Sequence, residues 1–178
     1  MGRPIRILAV CGSLQATSAN RALLETAAAS APDGVVVVLS DGLRHLPHFD
    51  PDSEKSAPQA VRDWRRALAD SDAVLIASPE YAHSLPGVLK NGIDWVVGSG
   101  ELERKVVAIT AAVPGPDRGR LGLKALRQTL GAVSATIVGG EPIARGPDFQ
   151  AQVAALLRAL VDAVRRDREP DVIPATRR

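Results

Sequence analysis

The segment Gly12-Ser13-Leu14-Gln15-Ala16-Thr17-Ser18-Ala19-Asn20 joins an apolar, β-branched run to an Ala/Leu-rich stretch. Ser13, Thr17 and Ser18 carry hydroxyls, and Asn20 carries an amide. A helix starting here would add unpaired N–H groups and a partial positive charge, which together favour a phosphate. The segment lacks the lysine of a Walker loop and the second and third glycines of a dinucleotide fingerprint. ATP and the usual dinucleotide mode are therefore disfavoured, and a cradle for one terminal phosphate remains. A polar turn with a good helix cap and no ligand accounts for the same residues equally well.

Two further segments could meet a ligand. Ser78-Pro79-Glu80-Tyr81-Ala82-His83-Ser84-Leu85-Pro86 is bounded by prolines. A stiff loop of this kind presents main-chain N–H and C=O groups with little ordering cost. Residues 111–122 are rich in glycine and proline, which permit unusual backbone angles. Arg118 and Arg120 lie in that stretch, and two solvated arginines are the simpler reading of them. Cys11 reads as a small buried hydrophobe at a strand end. His45 and His48 lie three apart, and without another ligand they make no metal site.

The surrounding pattern alternates short apolar runs with helical stretches. Strands are expected at residues 5–10, 35–39, 73–77, 106–110 and 134–138. Helices are expected at 21–30 with Asn20 as the cap, at 58–70, at 86–97, at 123–130, and at 149–166 capped by Asp148. Residues 42–56 read as a loop. The alternation implies an α/β domain: a doubly wound, five-stranded parallel sheet with helices on both faces. Ligands of such sheets sit beyond the carboxyl ends of the strands, at the switch point. The three segments above follow strands one, three and four, so all lie at that edge.

The chain has 178 residues, enough for one domain with a proper core. The domain is expected over residues 1–166, followed by a charged, frayed tail at 167–178. Hydrophobic residues make up 46% and charged residues 24%, which argues against disorder. Aromatics are only 3%, which weakens any case for stacking on nucleic-acid bases. The net charge of +2 indicates no basic patch for nucleic acid. No apolar run is long enough to span a bilayer. A single cysteine excludes an internal disulfide, and a reduced, cytoplasmic setting is expected.

The first segment resembles the opening of the NADPH-dependent FMN reductase family, flavodoxin-like quinone, azo-dye and chromate reductases. Gly12, Ser13, Leu14, Ser18 and Asn20 match the family pattern, and Gln15 stands where the family has arginine. From Pro79 to Trp95 the chain follows the family signature almost position for position. Ala82 replaces an asparagine there, and Gly92 replaces an alanine, at a helix-interior cost of about 1 kcal/mol. The resemblance covers about Arg6 to Val164. It implies a flavodoxin-like fold, bound FMN, and NAD(P)H as co-substrate. Two electrons would pass to a small-molecule acceptor: a quinone, azo compound, metal oxyanion or flavin. It assigns the phosphate end to Ser13, Gln15, Ser18, Ala19 and Asn20. It assigns the ring to Pro79, Glu80, Tyr81, Ala82 and His83, with Ala111, Ala112 and Gly115 approaching from the third loop. It implies a homodimer or homotetramer built on the helix after Pro86. No side-chain acid, base or nucleophile is expected, because the cofactor carries the chemistry. A flavodoxin-like electron carrier or signalling module is the alternative; carriers tend to be strongly acidic, which this chain is not.

Overall fold

The computed structural model describes residues 3–115 and 117–168. Its strands are β1 (Ile5–Cys11), β2 (Val35–Ser40), β3 (Ala73–Ala77), β4 (Val106–Val113) and β5 (Thr136–Ala144). Its helices are α1 (Ala19–Ala29), α2 (Gln59–Ala69), α3 (Gly87–Asp94), α4 (Arg120–Ala132) and α5 (Phe149–Arg168). The strands are all parallel, in the order β2-β1-β3-β4-β5. This is the flavodoxin-like order. After β1 the chain moves to one edge for β2, then returns to β1's other side for β3. The β1/β3 boundary is therefore the switch point, and the loops after β1, β3 and β4 crowd around it.

The pleat sorts the core. Ile7 and Ala9 face a cluster with Leu23, Leu24, Leu157 and Leu160 of α1 and α5. Leu8 and Val10 face the opposite cluster, with Leu68, Leu89 and Leu126 of α2, α3 and α4. Successive residues of one strand thus serve opposite faces. Every residue of β3 is buried, which explains why its sequence is apolar throughout rather than alternating. No helix among the described residues is long and apolar enough to cross a membrane.

Several expected boundaries move. Ser18, not Asn20, caps α1: its hydroxyl accepts the Asn20 N–H at 3.3 Å. Asn20 lies inside the first turn and is buried. β4 runs on to Val113, so Ala111 and Ala112 are strand residues rather than loop residues. α4 begins at Arg120, three residues before Leu123. β5 runs on to Ala144 because the β4–β5 register slips between Ile109 and Ala111. Gly139 and Gly140, both at positive φ, and Pro142 read locally as a strand stop; the irregularity absorbs them. The expected loop at 42–56 contains two short 3-10 turns, Gly42–His45 and Pro51–Ser56. α5 extends to Arg168, so Asp167 and Arg168 are helical; the rest of the expected frayed tail, 169–178, lies outside the described residues. A Cβ at Gly92 would meet Leu43 Cδ2, the movable end of a side chain, so an alanine there would require Leu43 to shift.

The turn after β3 is tight. Tyr81 N–H donates to Ser84 O, and Ser84 N–H donates to Tyr81 O, both at 3.0 Å. Between them Ala82 has φ 48° and His83 has φ 61°. Two consecutive left-handed residues inside a mutually bonded pair are the signature of a type I′ turn. That turn prefers Asn-Gly, and here each L-residue with a Cβ costs roughly 1 kcal/mol. The family's asparagine at position 82 thus has a backbone reason, since asparagine tolerates this region.

At the sheet's other end, Asp72 joins three segments. Its carboxylate accepts from Arg3 Nη1 at 2.9 Å, from the Arg6 N–H at 2.8 Å and from Arg168 Nη2 at 2.8 Å. Burial alone would raise its pKa. The Arg3, Arg6 and Arg168 donors outweigh burial and hold it at about 2, below the usual 3.8. A depressed carboxylate stabilises the fold above its ordinary value and loses that contribution as pH falls towards the folded value. Asp72→Asn should therefore cost of order 2 kcal/mol at pH 7, with the gap to native protein closing between about pH 4 and pH 2. Urea unfolding of both proteins across that range measures this, and a gap independent of pH would contradict it. Ala82→Asn should raise stability by roughly 0.5–1 kcal/mol by relieving the turn, and Ala82→Val should lower it. Thermal unfolding of the two variants measures this.

Candidate functional site

The three loops are tied to one another by specific contacts. Ser13 is buried; its hydroxyl accepts the Gln15 N–H at 3.2 Å and lies 3.4 Å from Tyr81 Oη. That contact joins the first loop to the second. Asn20 Oδ1 accepts the Ala112 N–H at 2.8 Å, joining α1 to β4. Glu80 Oε2 accepts the Gly122 N–H at 3.0 Å, joining the second loop to α4. The helix's own cap residue, Gly119, brings no side chain to that end. Glu80 therefore acts as the cap from another loop. Gly122 is what lets the two approach, because a Cβ there would stand 3.0 Å from both Cα and Cβ of Glu80.

These contacts show what several of the candidate side chains bond to within the chain. The Gly122 N–H, then the His83 ring and the Leu121 N–H, hold the Glu80 carboxyl below its usual range against the opposing effect of burial. Its other oxygen lies 3.3 Å from His83 Nδ1. The Glu80 side chain is thus directed at α4 and His83, leaving its main chain for a ligand. Asn20 commits its amide oxygen to β4, so it positions the first loop. Ala111 is fully buried, and the Ala112 N–H is engaged by Asn20. Of the third-loop candidates only Gly115 faces open space, with nothing within 4 Å of a built Cβ.

The first loop divides its candidates between two cavities. Ser13 and Gln15 line one of about 320 Å³, shared with Cys11, Asp41 and Arg44. Ser18 and Ala19 line another of about 520 Å³, shared with Thr17, Arg21, Arg145 and Phe149. Arg44 also holds the loop's outer edge, donating to Leu14 O at 2.5 Å. Arg44 and Arg145 carry no local motif, and only the topology brings them to the first loop. Arg21 pairs with Glu25 at 3.1 Å and Asp41 at 2.8 Å, so its charge is largely met. Arg120 pairs with Glu141 at 2.9 Å.

Tyr81, Ala82 and His83 form an exposed tip, with Tyr81 51% exposed, so Tyr81 is not a core residue. Trp95 is one: its Nε1 donates to Pro47 O at 2.8 Å and Phe49 meets it edge-on at 5.1 Å. Cys11 is half-buried, its Sγ 3.9 Å from Ser18 Oγ. Among the described residues no cluster of three His, Cys, Asp or Glu side chains is placed to hold a metal ion.

This geometry fits a mononucleotide with a flat head. α1 has no acidic residue in its first turn, and Glu25, the carboxylate lining the adjacent cavity, is paired with Arg21. Ser18 and Thr17 line the cavity beside that helix end. At the other end the type I′ turn uses the Tyr81 and Ser84 N–H groups internally, and the Ala82 and His83 main chain lies at its exposed tip.

Comparison with known proteins agrees. The sequence model of the NADPH-dependent FMN reductases matches residues 5–150. An NAD(P)H-dependent FMN reductase of Pseudomonas aeruginosa is 37% identical over 135 residues, covering 73% of this chain and 71% of that protein. A quinone reductase of Pseudomonas putida is 32% identical over 134 residues, covering 73% and 72%. The flavoenzyme NAD(P)H:(acceptor) oxidoreductase FerB of Paracoccus denitrificans shares the fold, with a TM-score of 0.80 at 24% identity over 91% of this chain and 98% of that one. With its sheet order, its capped α1 and its proline-bounded turn accounted for, the chain belongs to the NADPH-dependent FMN reductase family.

Proposed function

We propose that this protein is an FMN-dependent NAD(P)H oxidoreductase that delivers two electrons to a small-molecule acceptor of the quinone, azo, metal-oxyanion or flavin class. The observation that carries the reading is the meeting of two devices at the β1/β3 switch point. One is a capped helix start with hydroxyls; the other is a stiff turn, joined to it through Ser13 and Tyr81. The relatives named for FMN and quinone reduction support the choice of cofactor and acceptor class.

FMN, held at the carboxyl edge by the first loop and the turn after β3, would supply the two-electron redox chemistry between nicotinamide and acceptor. The chain's own residues bind and orient. The Ser18 and Thr17 side chains and the first-turn N–H groups of α1 hold the phosphate. Ser13 holds the loop open through the Gln15 N–H. The main chain from Pro79 to His83, with Gly115 opposite, borders the ring's polar edge. Glu80 keeps that turn in place by anchoring it to α4. No side-chain nucleophile is required.

The protein acts as a homodimer or homotetramer in the cytoplasm. Its assembly would use α3, the helix after Pro86, which exposed Val97 follows. The alternative, a carrier without its own reductase activity, predicts no steady-state NAD(P)H consumption with a quinone unless a partner reductase is added.

Purified protein should be yellow and release FMN, not FAD, on heating. Anaerobic NADH or NADPH should bleach it, and added quinone should restore the colour. A colourless protein that FMN does not stabilise against heat would contradict the reading. Ser18→Asp tests the phosphate end. Aspartate is as good a helix cap as serine, so the fold should hold while like charges repel the phosphate. FMN affinity should fall at least about tenfold, less so at high salt, in a fluorescence titration.

A further inference from the structure

A phosphate monoester carries nearly two negative charges at neutral pH. Residues 12–20 contain no lysine or arginine to meet them. Gln15 is neutral and lines the other cavity, apart from Ser18 and Ala19. Arg21 does line the Ser18 cavity, but its guanidinium is engaged by Glu25 and Asp41. Glu25, the carboxylate on that wall, is the partner of Arg21. A helix end and hydroxyls alone would have to hold the anion.

The same cavity has a second guanidinium. Arg145 follows β5, in the connection to α5, and its N–H donates to Val113 O at 3.0 Å. This fixes its backbone beside the end of β4, which Asn20 in turn ties to α1. Arg145, an exposed residue, lines the cavity together with Thr17, Ser18 and Ala19. Among the described residues no carboxylate forms an ion pair with it. A guanidinium without an ion-pair partner, on a residue that shares a cavity with a helix start, suits a planar, two-pronged contact with phosphate oxygens.

We propose that Arg145 is the cationic partner of the FMN phosphate, supplying from the β5–α5 connection the charge that the first loop lacks. This rests on the FMN reading above. It also separates two jobs: the loop after β1 shapes the cradle, and the loop after β5 brings the charge. A residue more than 120 positions along the chain thereby completes a site whose local sequence is neutral.

Apoprotein binding of FMN and of riboflavin, which lacks the phosphate, tests this by flavin fluorescence. Arg145→Gln should weaken FMN about tenfold while changing riboflavin less than twofold. The dependence of FMN affinity on salt should become shallower in the variant, and Arg145→Lys should recover part of the loss. Circular dichroism and thermal unfolding confirm that each variant is folded. Unchanged FMN affinity in Arg145→Gln overturns the assignment, as does an equal loss for both flavins. If native protein binds both flavins and only the variant effect is missing, Arg145 alone is wrong. If native protein binds neither, the FMN reading fails and the assignment with it.

Discussion

The Glu80 carboxylate on the first turn of α4 is the contact on which the shape of the site depends. It meets an end of α4 that Gly119 leaves without a side-chain cap. It holds the start of a turn whose two central residues are left-handed without being glycine. It also stands beside His83. Strain in such a turn persists only where the surroundings over-determine it, and here α4, β3 and the Ser13–Tyr81 contact do so. The carboxylate's depressed pKa is the electrostatic trace of this arrangement, not a sign of acid–base work.

The rest of the molecule makes that contact possible at little local cost. A parallel sheet buried on both faces needs no polar side chains within its strands. The polar groups are therefore concentrated at the carboxyl edge, where the loops bond to one another: Asn20 to β4, Ser13 towards Tyr81, Arg44 to Leu14. A ligand entering there meets loops already held in position, which lowers the ordering cost of binding. At the opposite edge Asp72 performs the complementary task, clamping both ends of the described chain with Arg3 and Arg168.

Much of this was legible in the residues. The five apolar runs, their order along the chain and the helices between them follow from periodicity, and β3 was placed to the residue because Ser78-Pro79 ends it so abruptly. The first and second loops stand out in the sequence for their hydroxyls, prolines and family signature. Side-chain direction was less legible. Asn20 carries a polar group in a polar loop and so looks like a ligand contact or a cap. In the fold its amide oxygen accepts the Ala112 N–H, which braces α1 against β4. The Glu80 bond to the Gly122 N–H and the burial of Ala111 are likewise contacts that spacing does not reveal.

Periodicity, caps and turn residues determined the α/β class, the single parallel sheet and the edge at which the three candidate loops gather, since these depend on interactions between residues close in sequence. Only the tertiary structure decided which side chains remain free at that edge. β5 is long because its irregular pairing with β4 accommodates two glycines and a proline, and no local signal marks that. Arg145 stands near Ser18 because α1 and α5 pack on the same face of the sheet, a long-range consequence of strand order. Charge placement around the cavity therefore comes from packing, whereas the cavity's location comes from the chain's own pattern.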